Sequence, residues 1–388
     1  MKIALVSPYD FVYPSGVNIH VSSLERQFTK MGHDVKIIAP LSSSISGVSD
    51  KLIRIGTPIP IPLGGTICRV TISLRLGPTI KSVLSRENFD IIHLHEPFMP
   101  MLCSAVLRFS NTVNVATFHA SGGKPGYKFG RPISSIMLRR RLPKLDGRIA
   151  VSQAAMEFAH KHLPGYYNII PNGIDLRLFS PDVSPISEFC DGKLNILFVG
   201  RLERQKGVDY LIKAYKQVKQ EVPNSRLIIV GPGTRLRGKY EREVLQSELK
   251  DVIFVGGKPQ CELPRYYKTA DVFCAPATGL ESFGIILLEA MAMGKPIVAT
   301  DIEGYNGVLT HNTEGLLVPP RNEWMLAQAL ISLLTNEPLR QKMAARARLK
   351  AMEYSWEHIA QKVSIYYTSI LSESPRKNHL PKVEAMPV

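Results

Sequence analysis

Glu281 and Glu289 bracket the predicted start of a helix near Ser282 or Phe283, and that helix ends at Gly294-Lys-Pro296. The amino end of a helix carries partial positive charge and free N–H groups, so it can bind an anion such as a phosphate. Two carboxylates there could hold the hydroxyl groups of a ligand whose phosphate meets the helix. Alternatively, Glu281 caps the helix and Glu289, costly as a bare charge in an apolar helix, pairs with a basic group. These residues alone support both interpretations equally.

Two cations, Arg201 and Lys206, follow the predicted strand Leu194–Val199. Cations at the carboxyl end of a strand can stabilise the charge that develops on a leaving diphosphate. The usual alternative is a divalent metal held by clustered aspartates, but the sequence contains no Asp-x-Asp pair. The absence of such a pair favours side-chain cations over a metal as the groups that stabilise the diphosphate charge. A surface salt bridge is the simpler interpretation of the same residues.

Histidines and one glycine supply further candidates. His93 and His95 form a His-x-His pair on a predicted strand, but no third ligand lies near them in the sequence, which favours polar packing over a metal site. His119 ends another predicted strand and precedes a glycine loop, as expected of a group on the substrate side. Gly16 opens a helix after the first strand and would let the backbone approach a diphosphate, although a plain glycine bend explains it as well.

The elements that must position these residues are short buried strands alternating with helical patterns, which predicts an α/β fold with parallel sheets. Ligands bind at the carboxyl ends of such strands, and a cleft between two such domains is the expected site. The predicted strands are Lys2–Ser7, Asp34–Ala39, Asp90–Leu94, Val113–His119 and Gly147–Ser152 in the first half, and Leu194–Val199, Arg226–Gly231, Val252–Val255, Asp271–Ala275, Pro296–Thr300 and Gly315–Val318 in the second.

The chain is predicted to hold two domains. Residues 1–171 form the first, and residues 172–193, rich in Pro, Ser, Asp and Gly, form a linker. Residues 194–355 form the second domain. A helix at 356–371 is expected to return to the first domain, and the tail 372–388 is expected to be disordered.

The composition of the chain limits the classes of partner and the cell compartment that we expect. The net charge of +15 implies an acidic partner. Nucleic acid is disfavoured because no aromatic-basic or zinc-finger pattern is present. Five scattered cysteines favour a reduced, cytosolic compartment over a disulfide framework or a zinc site. No apolar run reaches the ~20 residues of a membrane span, and the first residues are too short an apolar run for a signal peptide.

Two basic amphipathic stretches could bind an anionic membrane surface. One, at 78–86, contains Lys81 and Arg86, and the other, at 131–144, contains Arg139, Arg140 and Arg141. For the first stretch, an ordinary solvated helix face explains the pattern equally well. For the second, an acidic partner is favoured.

Taken together, these residues resemble the retaining glycosyltransferases of family 4. The resemblance lies in Gly200-Arg201 with Lys206-Gly207, in Glu281-Ser-Phe-Gly284 with Glu289, and in Gly16, and it covers the chain to about residue 371. It implies the GT-B architecture, in which two Rossmann-like, doubly wound domains have a cleft between them. The combination of motifs is far more specific than any one of them.

The resemblance also implies roles for individual residues. Catalytic roles fall to His119, near the reacting carbon, to Arg201 and Lys206 at the diphosphate, and to Glu281 at the sugar hydroxyls. Glu289 would bind the nucleotide ribose. The implied donor contacts are Gly16, Arg201, Lys206, Glu281, Ser282, Phe283, Gly284, Ile285 and Glu289, and the implied acceptor contacts are Tyr9, Asn18, Arg69 and Lys124. Ser15 and Asn18 depart from the family pattern, which usually has a glycine at the first position and has a glutamine near the inositol site at the second.

Within the family, stretches such as His95-Glu-Pro97, Ala116-Thr-Phe-His119 and Ile170-Pro-Asn-Gly173 are most similar to members that transfer mannose from GDP-mannose to phosphatidylinositol. The resemblance implies that donor and that phospholipid acceptor. It also implies a monomer peripheral to the inner face of the cell membrane, without a tightly bound cofactor. Mg²⁺ could accompany the substrate, but no protein ligand motif for it is present.

Two alternatives stay open. One is another family-4 enzyme, which would glucosylate or sulfoquinovosylate diacylglycerol or act on a soluble acceptor such as inositol phosphate. A second is a non-catalytic protein that binds sugar nucleotides or polyanions.

For the enzyme, retention without an evident carboxylate nucleophile implies front-face attack, with the leaving diphosphate taking the acceptor proton.

Overall fold

The computed structural model describes residues 1–13, 15–42, 51–63, 66–71, 73, 75–99, 101–122 and 140–373. Contacts divide the chain into two units. The first unit contains Met1–Val151, Ala155–Pro171 and the residues from Trp356 onwards. The second contains Ser152–Ala154 and Asn172–Ser355.

The described residues of the first unit form a parallel sheet of seven strands and a separate antiparallel hairpin. In the sheet the strand order is β3-β2-β1-β6-β7-β8-β9, and the hairpin pairs β4 with β5. The strands are β1 (Lys2–Val6), β2 (Asp34–Ala39), β3 (Leu52–Arg54), β4 (Ile59–Leu63), β5 (Thr66–Val70), β6 (Ile91–His95), β7 (Val113–Phe118), β8 (Gly147–Ala150) and β9 (Asn168–Ile169).

The second unit contains a parallel sheet of six strands in the order β12-β11-β10-β13-β14-β15. Its central strands are continuous apolar runs because helices cover both faces of a parallel sheet. The strands are β10 (Leu194–Val199), β11 (Ser225–Val230), β12 (Val252–Gly256), β13 (Val272–Ala275), β14 (Ile297–Thr300) and β15 (Gly315–Val318).

Twelve α-helices are formed by the described residues, in addition to short 3₁₀ turns such as Arg204–Lys206. They are α1 (Gly16–Lys30), α2 (Gly77–Glu87), α3 (Leu102–Phe109), α4 (Gln153–His162), α5 (Val208–Glu221), α6 (Arg237–Gln246), α7 (Leu263–Thr269), α8 (Ile285–Ala292), α9 (Glu303–Asn306), α10 (Glu323–Thr335), α11 (Glu337–Met352) and α12 (Trp356–Glu373).

The last helix completes the core of the first unit. Trp356, Ile359 and Tyr367 of α12 are buried in one cluster with β-strand residues such as Ile3 and with Phe28 of α1. The Tyr367 hydroxyl lies 2.5 Å from Nδ1 of the buried His93. The last described helix, α12, therefore belongs to the same unit as the first strand, β1.

The α/β fold with two parallel sheets is confirmed, whereas several boundaries differ from the predictions. The helix expected from Ser282 or Phe283 begins at Ile285, because Gly284 adopts a left-handed backbone conformation with φ of 81°. The helix expected to end at 371 continues to Glu373, and residues 374–388 lie outside the described part. Strands β3, β4, β5 and β9 were not predicted, because they are short or interrupted by prolines.

Candidate active-site residues in each unit

In the second unit, the predicted donor residues surround the point where the strand order reverses. The sheet runs outward from β10 to β11 and β12 on one side and to β13, β14 and β15 on the other. Open parallel sheets bind ligands at the carboxyl ends of the strands at this reversal. Arg201 follows β10 and Glu281 follows β13, so the topology brings both loops to that place.

Lys206, predicted to bind the diphosphate, and Glu281, predicted to bind the sugar hydroxyls, form an ion pair in this structure. Nζ of Lys206 lies 2.5 Å from Oε1 of Glu281, and the two side chains are 16% and 13% exposed. Arg201 is exposed and lies 3.1 Å from a carboxylate oxygen of Glu203. Glu281 therefore does not cap the helix that follows it. The structure places an anion partner beside each of the two predicted cations.

Gly207 allows the Lys206 loop to approach the end of β13. Its φ is 71°, and a Cβ at this position would lie 1.9 Å from the carbonyl oxygen of Pro276. The Thr278 N–H donates to the Gln205 carbonyl at 2.8 Å, which holds the same two loops together. Only glycine combines this backbone conformation with such a close approach.

The amino end of α8 follows Glu281 directly. Its N-cap is Gly284, whose lack of a side chain leaves the first helical N–H groups without a side-chain cap. A Cβ at Gly284 would lie 2.7 Å from Cδ1 of Tyr305. The predicted contacts Ser282, Phe283 and Ile285 surround this glycine. The resulting group of N–H donors is suited to a phosphate.

Glu289 is buried inside α8, and its partner is a phenol. The Tyr267 hydroxyl donates to Oε2 of Glu289 at 2.7 Å. Burial raises the pKa of Glu289 to about 7, although the hydrogen bond from Tyr267 acts in the opposite direction. Within the described part of the chain, no lysine or arginine forms a salt bridge with Glu289, so the basic partner considered from the sequence is not found there.

In the first unit, the loop after β1 is organised by Asn18 of α1. The Asn18 Oδ1 accepts the Ser7 hydroxyl at 2.8 Å, and Nδ2 donates to the carbonyls of Asp10 and Tyr13 at 2.8 and 2.9 Å. Ser15, the other departure from the family pattern, caps α1 by accepting the Asn18 N–H at 3.1 Å. The Asn18 amide is thus occupied in shaping the loop, and its predicted acceptor contact stays a prediction.

The hairpin brings two further acceptor residues to that loop. Tyr9 forms a β-bridge with Val70, and the Asp10 N–H donates to the Arg69 carbonyl at 2.9 Å. The Arg69 guanidinium lies 3.9 Å above the Tyr13 ring. Tyr9, Asn18 and Arg69 therefore belong to one network, whereas Lys124 lies outside the described residues.

Three histidines meet at the carboxyl ends of β6 and β7. The Nδ1 atom of His95 lies 3.2 Å from Nε2 of His119, and the His20 ring contacts both. One nitrogen of each lies within 4.8 Å of the others, close enough to share a metal ion. Burial lowers the pKa of His95 and His119, so these imidazoles are neutral near pH 7. The expectation that no third ligand lies near the His-x-His pair was wrong, because His20 comes from α1 and His119 from β7.

No role was predicted for Glu96 or His20, although Glu96 lies in the His95-Glu-Pro97 stretch that resembles the family. Glu96 directly follows β6, and its Oε2 accepts the N–H groups of His119 and Ala120 at 3.0 and 3.1 Å. Its place after a buried strand beside the strand-order reversal is a second signal that could have identified it. His20 lies two residues beyond Asn18, but its contact with His119 arises only from the packing of α1.

The predicted membrane residues differ in their surroundings. Lys81, Arg86 and Arg140 are exposed, and Arg86 pairs with Glu87 at 2.8 Å. Arg141 instead donates to the carbonyl and the hydroxyl of Ser104, and burial lowers its pKa. Arg139 lies outside the described residues. Within the described ranges, no helix combines the length and apolarity needed to cross a bilayer.

Comparison with known proteins identifies the family. Residues 14–178 match the model of "Glycosyltransferase Family 4", and residues 181–350 match that of "Glycosyl transferases group 1". A phosphatidyl-myo-inositol mannosyltransferase of Mycobacterium tuberculosis is 35% identical over 381 residues, which are 95% of this chain and 97% of the relative. The chain therefore belongs to glycosyltransferase family 4.

Solved structures show the same GT-B fold. Sucrose-phosphate synthase from Thermosynechococcus elongatus superposes with a TM-score of 0.74 at 23% identity, covering 96% of this chain and all of that one. HepE from Anabaena, in complex with UDP and glucose, has a TM-score of 0.71 at 20% identity, covering 95% and 100%. At such identities these likenesses establish the fold alone.

Proposed function

We propose that the protein transfers mannose from GDP-mannose to phosphatidylinositol with retention of anomeric configuration. The observation that carries the proposal is the Lys206–Glu281 pair, which lies where the strand order reverses and beside the amino end of α8. A cation, a carboxylate and free helical N–H groups match the diphosphate and hydroxyl groups of a nucleotide sugar. The full-length similarity to phosphatidyl-myo-inositol mannosyltransferases supports the particular donor and acceptor.

Donor binding exchanges partners within this pair. A diphosphate is a stronger anion than one carboxylate, so it competes with Glu281 for Lys206. Glu281 is then available to accept hydrogen bonds from the sugar hydroxyls. Arg201, which is exposed, adds a second charge and a planar fork of donors to the diphosphate.

The remaining donor contacts are assigned by their chemistry. The backbone N–H groups at Phe283, Gly284 and Ile285 bind phosphate oxygens at the amino end of α8. Glu289 accepts a hydrogen bond from the ribose while Tyr267 fixes its other oxygen. Gly16, the first residue of α1, offers a further backbone N–H to the diphosphate.

In the reaction, the bond between the anomeric carbon and the diphosphate oxygen breaks, and its electron pair leaves with GDP. The acceptor hydroxyl attacks from the same face, and its proton passes to the departing phosphate oxygen. Lys206 and Arg201 stabilise the charge that develops on that oxygen. The neutral imidazole of His119 contacts the transferred sugar near its reacting carbon and so holds the sugar in position.

Acceptor recognition belongs to the network around Tyr9. The Arg69 guanidinium, stacked on Tyr13, provides a positive group for the phosphate of a lipid headgroup. Tyr9 offers a hydroxyl that burial keeps protonated, because it raises the pKa. Asn18 serves the acceptor indirectly by holding the loop that carries Tyr9.

The acceptor is a lipid, so the protein works at a membrane surface. The net charge of +15 and the exposed Lys81, Arg86 and Arg140 favour an anionic one. Each basic residue near such a surface adds about 1 kcal/mol, and salt screens this attraction. We therefore place the protein at the inner face of the cell membrane, without a tightly bound cofactor.

A transfer panel tests the proposal. Labelled GDP-mannose, UDP-glucose and UDP-N-acetylglucosamine are each offered with phosphatidylinositol vesicles, diacylglycerol vesicles and soluble inositol phosphate. We expect label in lipid only from GDP-mannose with phosphatidylinositol, in the α configuration, and a rate that falls as salt is added. Label in diacylglycerol or inositol phosphate would show that this molecule, and not phosphatidylinositol, is the acceptor. Binding of a nucleotide sugar without transfer or donor hydrolysis would favour a non-catalytic binding protein and contradict the proposal.

A further inference from the structure

Glu96 is a buried carboxylate that binds two consecutive backbone N–H groups. It follows β6, and its side chain is almost fully enclosed, with the residue 6% exposed. Its Oε2 accepts the N–H of His119 at 3.0 Å and that of Ala120 at 3.1 Å. A carboxylate removed from water costs free energy unless such hydrogen bonds offset it. This geometry joins the end of β6 to the point where the chain leaves β7.

The backbone of Glu96 reinforces that connection. Its N–H donates to the Thr117 carbonyl at 2.8 Å, and its own carbonyl accepts the Met99 N–H at 2.9 Å. Its φ is 51°, in the left-handed region that non-glycine residues rarely occupy. Backbone strain of this kind persists where the surrounding structure determines the conformation, and it is concentrated at functional sites.

What this connection controls is the position of His119. The His119 backbone N–H is fixed by Glu96, and its ring lies 3.2 Å from His95 and contacts His20. A shift of the chain at residue 119 would therefore move the imidazole out of the histidine cluster. Small misplacements of a group that contacts the reacting centre are costly for catalysis.

We propose that Glu96 is a positioning residue that clamps the backbone at His119 and Ala120 and thereby holds the His119 imidazole against the transferred sugar. The inference deepens the proposed transferase function and rests on it for its kinetic readout. In this role Glu96 acts on the sugar through the backbone of His119 and Ala120.

Two variants and one control test the inference. Glu96→Gln keeps an acceptor oxygen at the same place, whereas Glu96→Leu removes the acceptor. Glu157→Gln changes an exposed glutamate of α4 in the same unit and serves as the control. Mannose transfer is measured as kcat and donor KM. Amide hydrogen–deuterium exchange at His119 and Ala120 provides a readout that does not depend on activity.

We expect Glu157→Gln to keep the wild-type kcat. Glu96→Gln should keep most of it, because its amide oxygen can still accept the two N–H groups. In Glu96→Leu, kcat should fall roughly 10–100-fold with a smaller change in KM, and exchange at His119 and Ala120 should accelerate while other segments stay protected. Unchanged exchange at these two amides in Glu96→Leu, or a kcat of Glu96→Gln as low as that of Glu96→Leu, would overturn the inference. If the wild type transfers no sugar, the exchange measurement still decides the clamp, and only the proposed function fails.

Discussion

Lys206 and Glu281 show how a site for a charged ligand can be stable before the ligand binds. The two side chains are mostly buried and form an ion pair at 2.5 Å. Burying either charge alone would be expensive, whereas the pair offsets much of the desolvation cost. In the proposed function, a donor that brings a diphosphate and sugar hydroxyls replaces both halves of the pair at once. The pair would then hold the two groups in place until that donor binds.

Glu289 gives a residue-scale prediction about pH. Its pKa in the folded protein is about 7, above the ordinary 4.5, because burial disfavours the charge. The stability that comes from its protonated form is thus present below 4.5 and is lost as pH rises to about 7. Glu289→Gln keeps an acceptor for Tyr267 but has no charge to bury. We expect the free energy of unfolding of this variant, relative to wild type, to rise over that interval by at most about 3 kcal/mol.

The measurement is thermal unfolding of both proteins at about pH 5 and about pH 8. Glu357→Gln, a change at an exposed glutamate of α12, controls for the loss of a negative charge. Equal shifts in Tm for Glu289→Gln at the two pH values would show that the Glu289 carboxylate does not titrate in this interval.

At the scale of elements, the strands were predictable and the partners of the loops were not. Strands such as β10 and β15 were predicted to the residue because a parallel strand covered on both faces is a continuous apolar run. The residues after those strands followed from the rule that parallel sheets bind ligands at their carboxyl ends. The Lys206–Glu281 pair spans 75 residues of sequence, however, and no local pattern records it.

The three-histidine cluster was missed for the same reason. His20 lies on α1 and His119 follows β7, and they meet only because α1 packs over the carboxyl ends of the strands. The phenol that binds Glu289 is Tyr267 of a neighbouring helix, α7, and this contact likewise could not be predicted from the sequence. Sequence spacing identifies which residues end strands, whereas their contacts depend on packing.

Gly207 gives a prediction at the scale of the loop. Gly207→Ala places a Cβ against the Pro276 carbonyl in a left-handed conformation, so the loop must move away from β13. We expect a lower Tm because of this clash, and a lower rate of transfer because Lys206 moves away from Glu281. The measurement is Tm together with the initial transfer rate.

Gly307→Ala is the matched control for this prediction. Gly307 has a φ of −73° and no atom within 4 Å of an added Cβ, so alanine should fit there. Wild-type Tm and rate in Gly207→Ala would show that the close approach at Pro276 does not hold the loop in place.

At the scale of the whole molecule, two parallel sheets of the GT-B fold carry the two kinds of residue. The predicted donor residues other than Gly16 belong to the second unit, where they lie after strands or on α8, whereas the network around Tyr9 belongs to the first. Membership of glycosyltransferase family 4 was predicted from the Arg201, Lys206, Glu281 and Glu289 motifs, and the family models confirm it. The identity of sugar and lipid was less accessible, because it depends on how loop side chains pack rather than on the fold.

In the proposed reaction, Lys206 stabilises the diphosphate leaving group during mannose transfer to phosphatidylinositol. The most direct measurement is the initial rate of mannose transfer from GDP-mannose to phosphatidylinositol by wild type, Lys206→Ala and Lys216→Ala. Lys216 is an exposed lysine of α5 and serves as the control. We predict transfer by wild type and Lys216→Ala at similar rates and a loss of roughly 10²–10³-fold in kcat for Lys206→Ala. No transfer by wild type, or a wild-type rate in folded Lys206→Ala, would contradict the account.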